Sequence, residues 1–160
     1  MMRVGFGYDS HRFAAGRELR LGGVKIQYDK GLAGHSDADA VLHAVTDAIL
    51  GAIGAGDIGE MFPDNDERYR DTDSSLFVLG AANLARQRGY RVVNCDITIL
   101  AESPKLGPYK RAMQERIAEL LGLLAADVGV KAKTNEGMGF VGRGEGLTAW
   151  AVVLLAREAS

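Results

Sequence analysis

Two residues near the start of the chain have the types and the spacing of metal ligands. Asp9 and His11 end a segment, residues 3–12, whose alternating side chains predict a β-strand. In an extended chain, residues i and i+2 point to the same face, so both side chains can contact one ion. With one histidine from elsewhere, they would form an Asp/His/His set, which suits zinc with one coordination position left open. An Asp-x-His spacing also occurs in ordinary strands, so without other support it is a weak indication of a metal site.

A predicted helix, from about Asp37 to about Ile53, carries another polar cluster. Its apolar residues recur at steps of three and four, which gives one apolar stripe. They are Val41, Val45, Ile49, Ala52 and Ile53. Asp39, His43 and Asp47 are spaced by four and form a second, polar stripe roughly opposite. In an isolated helix, such a polar stripe would simply face solvent. The other motifs of the chain decide whether it is a solvated surface or part of a functional site.

The start of this helix is a candidate anion site. Ser36 or Asp37 is expected to cap the N-terminus, and acidic residues in the first turn suit the positive end of the helix dipole. His35 and Ser36 stand beside that end, where backbone N–H groups favour a negatively charged ligand.

Three loops have compositions that occur both in ligand sites and in ordinary turns. Residues 56–66 are dense in carboxylates, which can bind a hard cation or sugar-like hydroxyls, or form solvated turns. The two-proline loop 102–108 can present backbone groups to a nucleobase, or simply connect a strand to a helix. In residues 142–146, three glycines frame Arg143 and Glu145. Such a turn can approach a phosphate, or it can be a hairpin turn with a solvated ion pair.

Composition narrows the class of protein. The chain has 160 residues, of which 47% are hydrophobic and 25% charged, as expected for one globular domain over residues 1–160. A net charge of -2 gives no electrostatic footprint for nucleic acid. The single Cys95 excludes a disulfide framework within the chain and is expected to be a small buried strand residue. The first residues have a strand pattern rather than that of a secretory leader, and no apolar run is long enough for a bilayer, so we expect a cytoplasmic protein without membrane contact.

Periodicity places strands and helices along the whole chain. A hairpin is predicted within residues 18–28, and strands are predicted at 3–12, 90–101, 128–134 and 147–156. Helices are predicted at 74–88 and 109–124, the first with Leu76, Leu79, Ala82 and Ala85 on its apolar face. The last strand is almost continuously apolar, so we expect it to be buried on both faces, partly in a subunit interface.

The order and wording of the motifs are more specific than any one of them. They are Asp9-Ser-His11, Gly34-His-Ser-Asp-x-Asp with His43, Gly56-Asp-Ile-Gly59, Phe62-Pro-Asp, Ala101-x-x-Pro-Lys, Thr134-x-Glu136 and Phe140-x-Gly-Arg-Gly-Glu-Gly146. Over essentially the whole chain, this series resembles the 2-C-methyl-D-erythritol 2,4-cyclodiphosphate synthase family of the non-mevalonate isoprenoid pathway.

The resemblance implies a fold and an assembly. We expect an α+β fold (an α/β sandwich) with a mixed four-stranded sheet, helices on one face and a small N-terminal hairpin. We also expect a homotrimer built around packed sheets, with active sites between neighbouring subunits.

The resemblance also implies a reaction. The substrate would be 4-diphosphocytidyl-2-C-methyl-D-erythritol 2-phosphate, whose 2-phosphate attacks the β-phosphorus of its own diphosphate and expels CMP. Asp9, His11 and His43 would bind one Zn²⁺ per subunit, and Glu136 would hold Mg²⁺ or Mn²⁺ with the diphosphate. His35 and Thr134 would be the catalytic residues that stabilise the transition state.

By the same resemblance, substrate contacts fall into three groups: residues 57–66 around the erythritol phosphate, 101–107 around the cytosine, and 133–136 beside the diphosphate. The implied set is Asp9, His11, His35, Ser36, Asp57, Ile58, Gly59, Phe62, Pro63, Asp64, Asn65, Asp66, Ala101, Glu102, Ser103, Pro104, Lys105, Leu106, Gly107, Lys133, Thr134, Asn135, Glu136, Phe140 and Arg143. Arg143 and Glu145 would also reach a cavity on the trimer axis that holds an isoprenoid diphosphate in some members.

Two departures and two alternatives accompany this interpretation. Lys133 and Asn135 flank Thr134 where some members carry hydroxyl residues, and Leu106-Gly107 replaces bulkier residues in the base loop. These changes concern affinity, since they remove no ligand or catalytic group.

One alternative is a trimeric isoprenoid-diphosphate-binding protein with a structural metal site. The other is a different zinc-dependent phosphotransferase or hydrolase, which the lack of a candidate for activating water disfavours.

Overall fold

In residues 1–158, which the computed structural model describes, a five-stranded mixed sheet organises the chain. The strands are β1 (Met2–Ala15), β2 (Leu19–Leu21), β3 (Val24–Ile26), β4 (Lys30–Leu32), β5 (Tyr90–Leu100), β6 (Val128–Lys133) and β7 (Gly146–Arg157). The helices are α1 (Ala40–Ala52), α2 (Ile58–Met61), α3 (Ser75–Gln87), α4 (Lys110–Leu121) and α5 (Gly139–Gly142). Short 3₁₀ turns lie at Glu67–Tyr69, Gly107–Tyr109 and Ala125–Asp127.

The sheet has the order β4-β1-β7-β5-β6. Its pairs are antiparallel except β5 with β6, whose parallel pairing requires the crossover that α4 supplies. The four predicted strands and the separate β2–β3 hairpin are confirmed. The short fifth strand β4 was not predicted, because three residues give too little alternation to recognise; it pairs with the end of β1, which runs three residues beyond the prediction.

Close packing between α1 and β1 controls where the first motif meets the first long helix. Gly5 and Gly7 lie under α1, and a Cβ at Gly7 would come within 1.9 Å of the carbonyl oxygen of Ala44. Only glycine leaves room for backbone to pack directly on backbone in this way. The helix is therefore held unusually near the strand, which brings its side chains within reach of the strand's polar end.

The helices cover one face of the sheet, as predicted. On that face, the side chains of β7 form the centre of the core with α1. Its fully buried members are Leu147, Ala149, Ala151, Val153 and Leu155. The opposite face of β7 is not covered within the chain, since Val152 is 42% exposed. The predicted burial of this second face in a subunit interface cannot be read from one chain and stays a prediction.

Two helices differ from their predicted form. Helix α1 begins at Ala40, and its cap is Asp39, whose side chain accepts a hydrogen bond from the N–H of Leu42; the predicted caps Ser36 and Asp37 lie before it. Asp39 is also fully buried rather than on a solvated stripe. In α3, the predicted apolar residues Ala82 and Ala85 are buried, but Leu76 and Leu79 are 59% and 39% exposed. Phe77 is buried in their place, so the buried face is rotated from the predicted one at the start of the helix.

None of the helices within residues 1–158 is both long and apolar enough to cross a membrane.

Candidate active site

Asp9, His11 and His43 form one compact cluster. Asp9 Oδ2 lies 2.8 Å from His11 Nε2 and 3.0 Å from His43 Nδ1, and the two histidine nitrogens are 3.3 Å apart. Around a tetrahedral zinc ion with ligands at about 2.1 Å, neighbouring ligand atoms lie about 3.4 Å apart, so the cluster needs little adjustment to hold one. The donor set of one carboxylate and two imidazoles fits zinc, and the predicted same-face placement of Asp9 and His11 is confirmed.

The local structure of β1 and α1 explains why these three side chains meet. The pleat of β1 places Asp9 and His11 on the face toward α1. Helix α1 presents His43 from its first turn, and its close approach to β1 brings the ring of His43 within reach of Asp9.

The charges of the cluster are interdependent. Burial raises the pKa of Asp9, but hydrogen bonds with His11 and His43 outweigh it and hold that pKa below its usual value. Burial lowers the pKa of His11, while the hydrogen bond and the negative charge of Asp9 raise it, with a net rise. Protons therefore compete with a metal ion for this site.

Each histidine is oriented by a contact on the side of its ring away from the cluster. His11 Nδ1 lies 2.6 Å from the carbonyl oxygen of Ala33. A carbonyl can only accept, so we assign the proton to Nδ1, which leaves the lone pair of Nε2 facing the cluster. His43 Nε2 lies 2.8 Å from Ser74 Oγ and 3.2 Å from Ser36 Oγ.

The cluster lies in a cavity of about 390 Å³. Several residues predicted to contact substrate line it together with the cluster; they are His35, Ser36, Ile58, Gly59, Phe62 and Asp64. Tyr69 and Phe77 line it as well, and sequence reasoning missed both. The ring centroid of Phe77 lies 4.7 Å from that of Phe62 and 5.9 Å from that of His43. The sequence position of an aromatic residue near the start of a helix does not show whether its ring lines a pocket or packs in the core.

The acidic loop is attached to α1. Asp47, on the predicted polar stripe, accepts a hydrogen bond of 2.7 Å from the N–H of Ile58. Asp57 accepts one of 2.9 Å from the N–H of Glu60 and caps α2. These bonds hold Ile58 and Gly59 against the cavity, while the Asp57 carboxylate itself serves as a cap.

The remaining predicted residues of this loop do not all face the cavity. Pro63 and Asn65 are exposed and lie outside its lining. The Asp66 carboxylate pairs with the Arg68 guanidinium at 2.6 Å, a hydrogen bond that holds the pKa of Asp66 below its usual value. Its backbone oxygen lies 3.3 Å from His35 Nε2.

A second cavity, of about 310 Å³, lies beside β6, the strand at one edge of the sheet. The predicted base loop and the end of β6 form it together; its lining is Ala101, Glu102, Pro104, Lys105, Leu106, Gly107, Pro108, Lys110, Ala132, Lys133 and Thr134. Ser103 belongs to the loop but lies outside this lining. The three lysines make the cavity suitable for an anionic ligand.

The Glu102 side chain organises the turn that follows β6. Its two carboxylate oxygens accept hydrogen bonds from the N–H groups of Asn135, at 3.0 Å, and Gly137, at 3.1 Å. Between them, Glu136 has a positive φ of 52°. Thr134 Oγ1 donates to Glu136 Oε1 at 3.3 Å. The carboxylate of Glu102 is thus engaged with the backbone of this turn.

Phe140 and Arg143 lie apart from both cavities described so far. Phe140 lines a third cavity, of about 200 Å³, beside His11 and Glu145. Arg143 Nε donates to Glu145 Oε1 at 3.1 Å in an exposed pair, which matches the solvated-pair alternative for this turn.

Within one chain, the two main groups of residues are well separated. In the strand register, Asp9 pairs with Ala149, Ala149 with Ile99, and Ile99 with Ala132. Three strand spacings of about 4.8 Å place β6 roughly 14 Å from β1 across the sheet. Glu136, which follows β6, is therefore not brought to the metal cluster of the same chain.

Comparisons with known proteins find relatives over nearly the whole chain. The sequence model of the YgbB family matches residues 2–156. A 2-C-methyl-D-erythritol 2,4-cyclodiphosphate synthase of Moorella thermoacetica is 56% identical over 99% of this chain and 98% of its own. One from Geobacillus kaustophilus is 57% identical over 99% of this chain and 100% of its own.

Solved structures have the same fold. The bifunctional IspDF of Campylobacter jejuni superposes with a TM-score of 0.94 at 43% identity; the match covers 98% of this chain and 42% of that longer one. The IspF of Plasmodium falciparum, in a complex with CDP, gives a TM-score of 0.87 at 33% identity, with 99% of this chain and 97% of that one covered.

Proposed function

Because the chain belongs to the YgbB family, the family of 2-C-methyl-D-erythritol 2,4-cyclodiphosphate synthases, we propose that it makes that cyclic diphosphate. Its substrate would be 4-diphosphocytidyl-2-C-methyl-D-erythritol 2-phosphate. An oxygen of the 2-phosphate forms a bond to the β-phosphorus, the bond from that phosphorus to the bridging oxygen breaks, and CMP leaves with the electron pair. The observation that carries the proposal is the Asp9–His11–His43 cluster, which opens into the same cavity as His35.

This reaction fits the residues present because it needs no nucleophile from the protein. Both reacting groups belong to the substrate, so catalysis consists of holding two phosphates together and offsetting their charge. Zn²⁺ at the cluster would supply a Lewis acid for the β-phosphate, and Mg²⁺ or Mn²⁺ at Glu136 would neutralise the diphosphate. His35 and Thr134 donate hydrogen bonds to the phosphate oxygens as charge moves during transfer.

The second cavity suits the cytidine half of the substrate. Backbone groups of the loop 101–107 can bind the polar edge of the base, and Ala101 and Leu106 offer apolar surface to its face. Lys105 and Lys133 lie on the same lining and can offset phosphate charge. The CDP named for the Plasmodium falciparum relative supports a cytidine diphosphate ligand.

We propose a homotrimer whose active sites combine residues of two subunits. The separation of the metal cluster from Glu136 within the chain supports this, since one substrate has to contact both. The uncovered sheet face supports it as well: Val4, Phe6 and Tyr8 are 68%, 61% and 45% exposed, and Phe6 pairs across the sheet with Val152. A continuous apolar face of this kind is typical of a subunit interface.

The cytoplasmic location and the isoprenoid diphosphate on the trimer axis stay predictions. For the latter, Arg143 would have to exchange its pairing with Glu145 for the ligand.

The test is CMP release from the diphosphocytidyl substrate, with zinc and magnesium present, followed by phosphorus NMR. We expect one CMP per turnover and the two coupled phosphorus signals of a cyclic diphosphate. Asp9→Asn, which weakens one ligand, is expected to abolish turnover, while Asp29→Asn, an exposed carboxylate outside the cavities, serves as its control. A zinc-loaded trimer that releases no CMP would contradict the proposal and favour the binding-protein alternative.

A further inference from the structure

Ser74 occupies a helix-capping position but does not act as a cap. It is the N-cap residue of α3, where a serine hydroxyl ordinarily accepts a hydrogen bond from a backbone N–H of the first turn. No such bond is present, and Ser74 is fully buried. Its hydroxyl contacts His43 and Asp37 instead, so local helix stability does not account for it.

The contacts of Ser74 define a chain of hydrogen bonds that ends at the metal cluster. His43 Nδ1 faces Asp9 and His11, which leaves Nε2 on the opposite side of the ring, 2.8 Å from Ser74 Oγ. The Ser74 hydroxyl donates in turn to Asp37 Oδ1. An ionised carboxylate can only accept, so the direction of the chain is determined: Nε2–H donates to Ser74, and Ser74 donates to Asp37.

We propose that Ser74 and Asp37 are positioning residues for the metal site: they keep the proton of His43 on Nε2 and thereby keep Nδ1 available as a metal ligand. This inference rests on the proposed function. A ligand histidine whose second nitrogen donates to a carboxylate, directly or through a hydroxyl, is fixed in tautomer and ring orientation and is a stronger base toward the metal.

Asp37 is itself held rigidly. Its Oδ2 accepts a hydrogen bond of 3.0 Å from the N–H of Ser74, and its Oδ1 accepts one of 3.0 Å from the N–H of Asp39. The N–H of Asp37 donates to the carbonyl of Thr72 at 3.1 Å. The carboxylate thus joins the segment before α1 to the start of α3, and the ring of His43 is oriented by two elements besides its own helix.

The test is zinc affinity, measured on the assembled protein by competition with a chromophoric chelator. Ser74→Ala removes the hydroxyl and little volume, and we expect it to weaken zinc binding about 10- to 100-fold. We also expect a changed visible spectrum of the cobalt-substituted protein, because His43 Nε2 loses its partner at 2.8 Å and keeps only Ser36 Oγ, at 3.2 Å. Ser75→Ala is the matched control: Ser75 is the next residue and is also buried, but its hydroxyl contacts Arg116. It should leave both measurements unchanged.

A double-mutant cycle with Asp37→Asn separates action through Ser74 from general damage to the loop. If Asp37 acts through Ser74, Asp37→Asn lowers zinc affinity in the wild-type background and adds little in the Ser74→Ala background. Wild-type zinc affinity in either single variant would overturn the proposal, and Asp37→Asn alone decides if Ser74→Ala does not fold. Failure of the proposed function is distinguishable, because a wild-type chain inactive on the substrate would still show this difference in zinc affinity.

Discussion

Replacing Gly7 with alanine is expected to damage the metal site without touching a ligand. A Cβ at Gly7 would lie 1.9 Å from the carbonyl oxygen of Ala44 and 2.8 Å from the backbone nitrogen of Ala48. Both obstacles are backbone atoms of α1, so no side chain can rotate away to relieve the overlap. The whole helix has to move from β1.

The size of the effect follows from these distances. Ordinary contact begins at 3.4 Å, so α1 must withdraw by about 1.5 Å. His43 precedes Ala44 in this helix, and its Nδ1, now 3.0 Å from Asp9 Oδ2, would lie about 4.5 Å away. Ligand atoms of one tetrahedral zinc lie about 3.4 Å apart, so His43 would be lost as a ligand. We expect zinc affinity to fall by more than about 100-fold, the upper limit for loss of an outer partner.

Overpacking also lowers the free energy of unfolding, here by about 3 kcal/mol, which leaves a typical domain folded. Zinc affinity is measured by chelator competition, and stability by urea unfolding of the metal-free protein, so that metal binding does not contribute to it. Gly51→Ala is the control: it lies in the same helix, where an added Cβ meets only the carbonyl oxygen of Phe6, at 4.0 Å. Wild-type zinc affinity in Gly7→Ala would refute the reasoning, even if the variant were less stable.

Four further outcomes test other parts of the structure. Burial raises the pKa of the Cys95 thiol to about 12, so a thiol-specific disulfide reagent should react only with unfolded protein; fast reaction at pH 8 would mean that β5 opens. Asp39→Asn places an amide among the N–H groups of Gly22, Gly23 and Leu42, and should lower the free energy of unfolding in urea by about 3 kcal/mol. Glu136→Ala should keep its zinc, by mass spectrometry of the metal content, and lose the magnesium requirement together with the rate; unchanged turnover would remove Glu136 from the site. Phe6→Glu puts a charge on the uncovered sheet face and should give monomers in light scattering, whereas a stable trimer would exclude this face as the interface.

The local sequence pattern was enough to predict those features of this protein that depend only on residues close together in the sequence. Alternation along β1 placed Asp9 and His11 on one face, because the period of a strand is two wherever the strand lies. Residue type then suggested a metal, since carboxylate and imidazole are its usual ligands. The hairpin formed by β2 and β3 also lies within the residues 18–28 predicted for it.

Features that depend on contacts between distant segments were decided only in three dimensions. Asp39 became the cap of α1, although Ser36 and Asp37 have equally suitable side chains, because the N–H groups of Gly22 and Gly23 in the distant hairpin turn also donate to its carboxylate. In α3, apolar periodicity identified Ala82 and Ala85 as buried, but contacts with the rest of the core left Leu76 and Leu79 exposed.

The site itself shows the same division. The positions of Ser74 and Asp37 in the sequence do not indicate that they lie beside His43. Nor does the sequence show that Glu136 lies across the sheet from Asp9. Strand order sets that separation, and strand order results from β7 inserting between β1 and β5, a choice made by packing of the whole core. Residue type and local spacing therefore pointed to the candidate metal ligands, whereas the packing of distant segments set which side chains surround them.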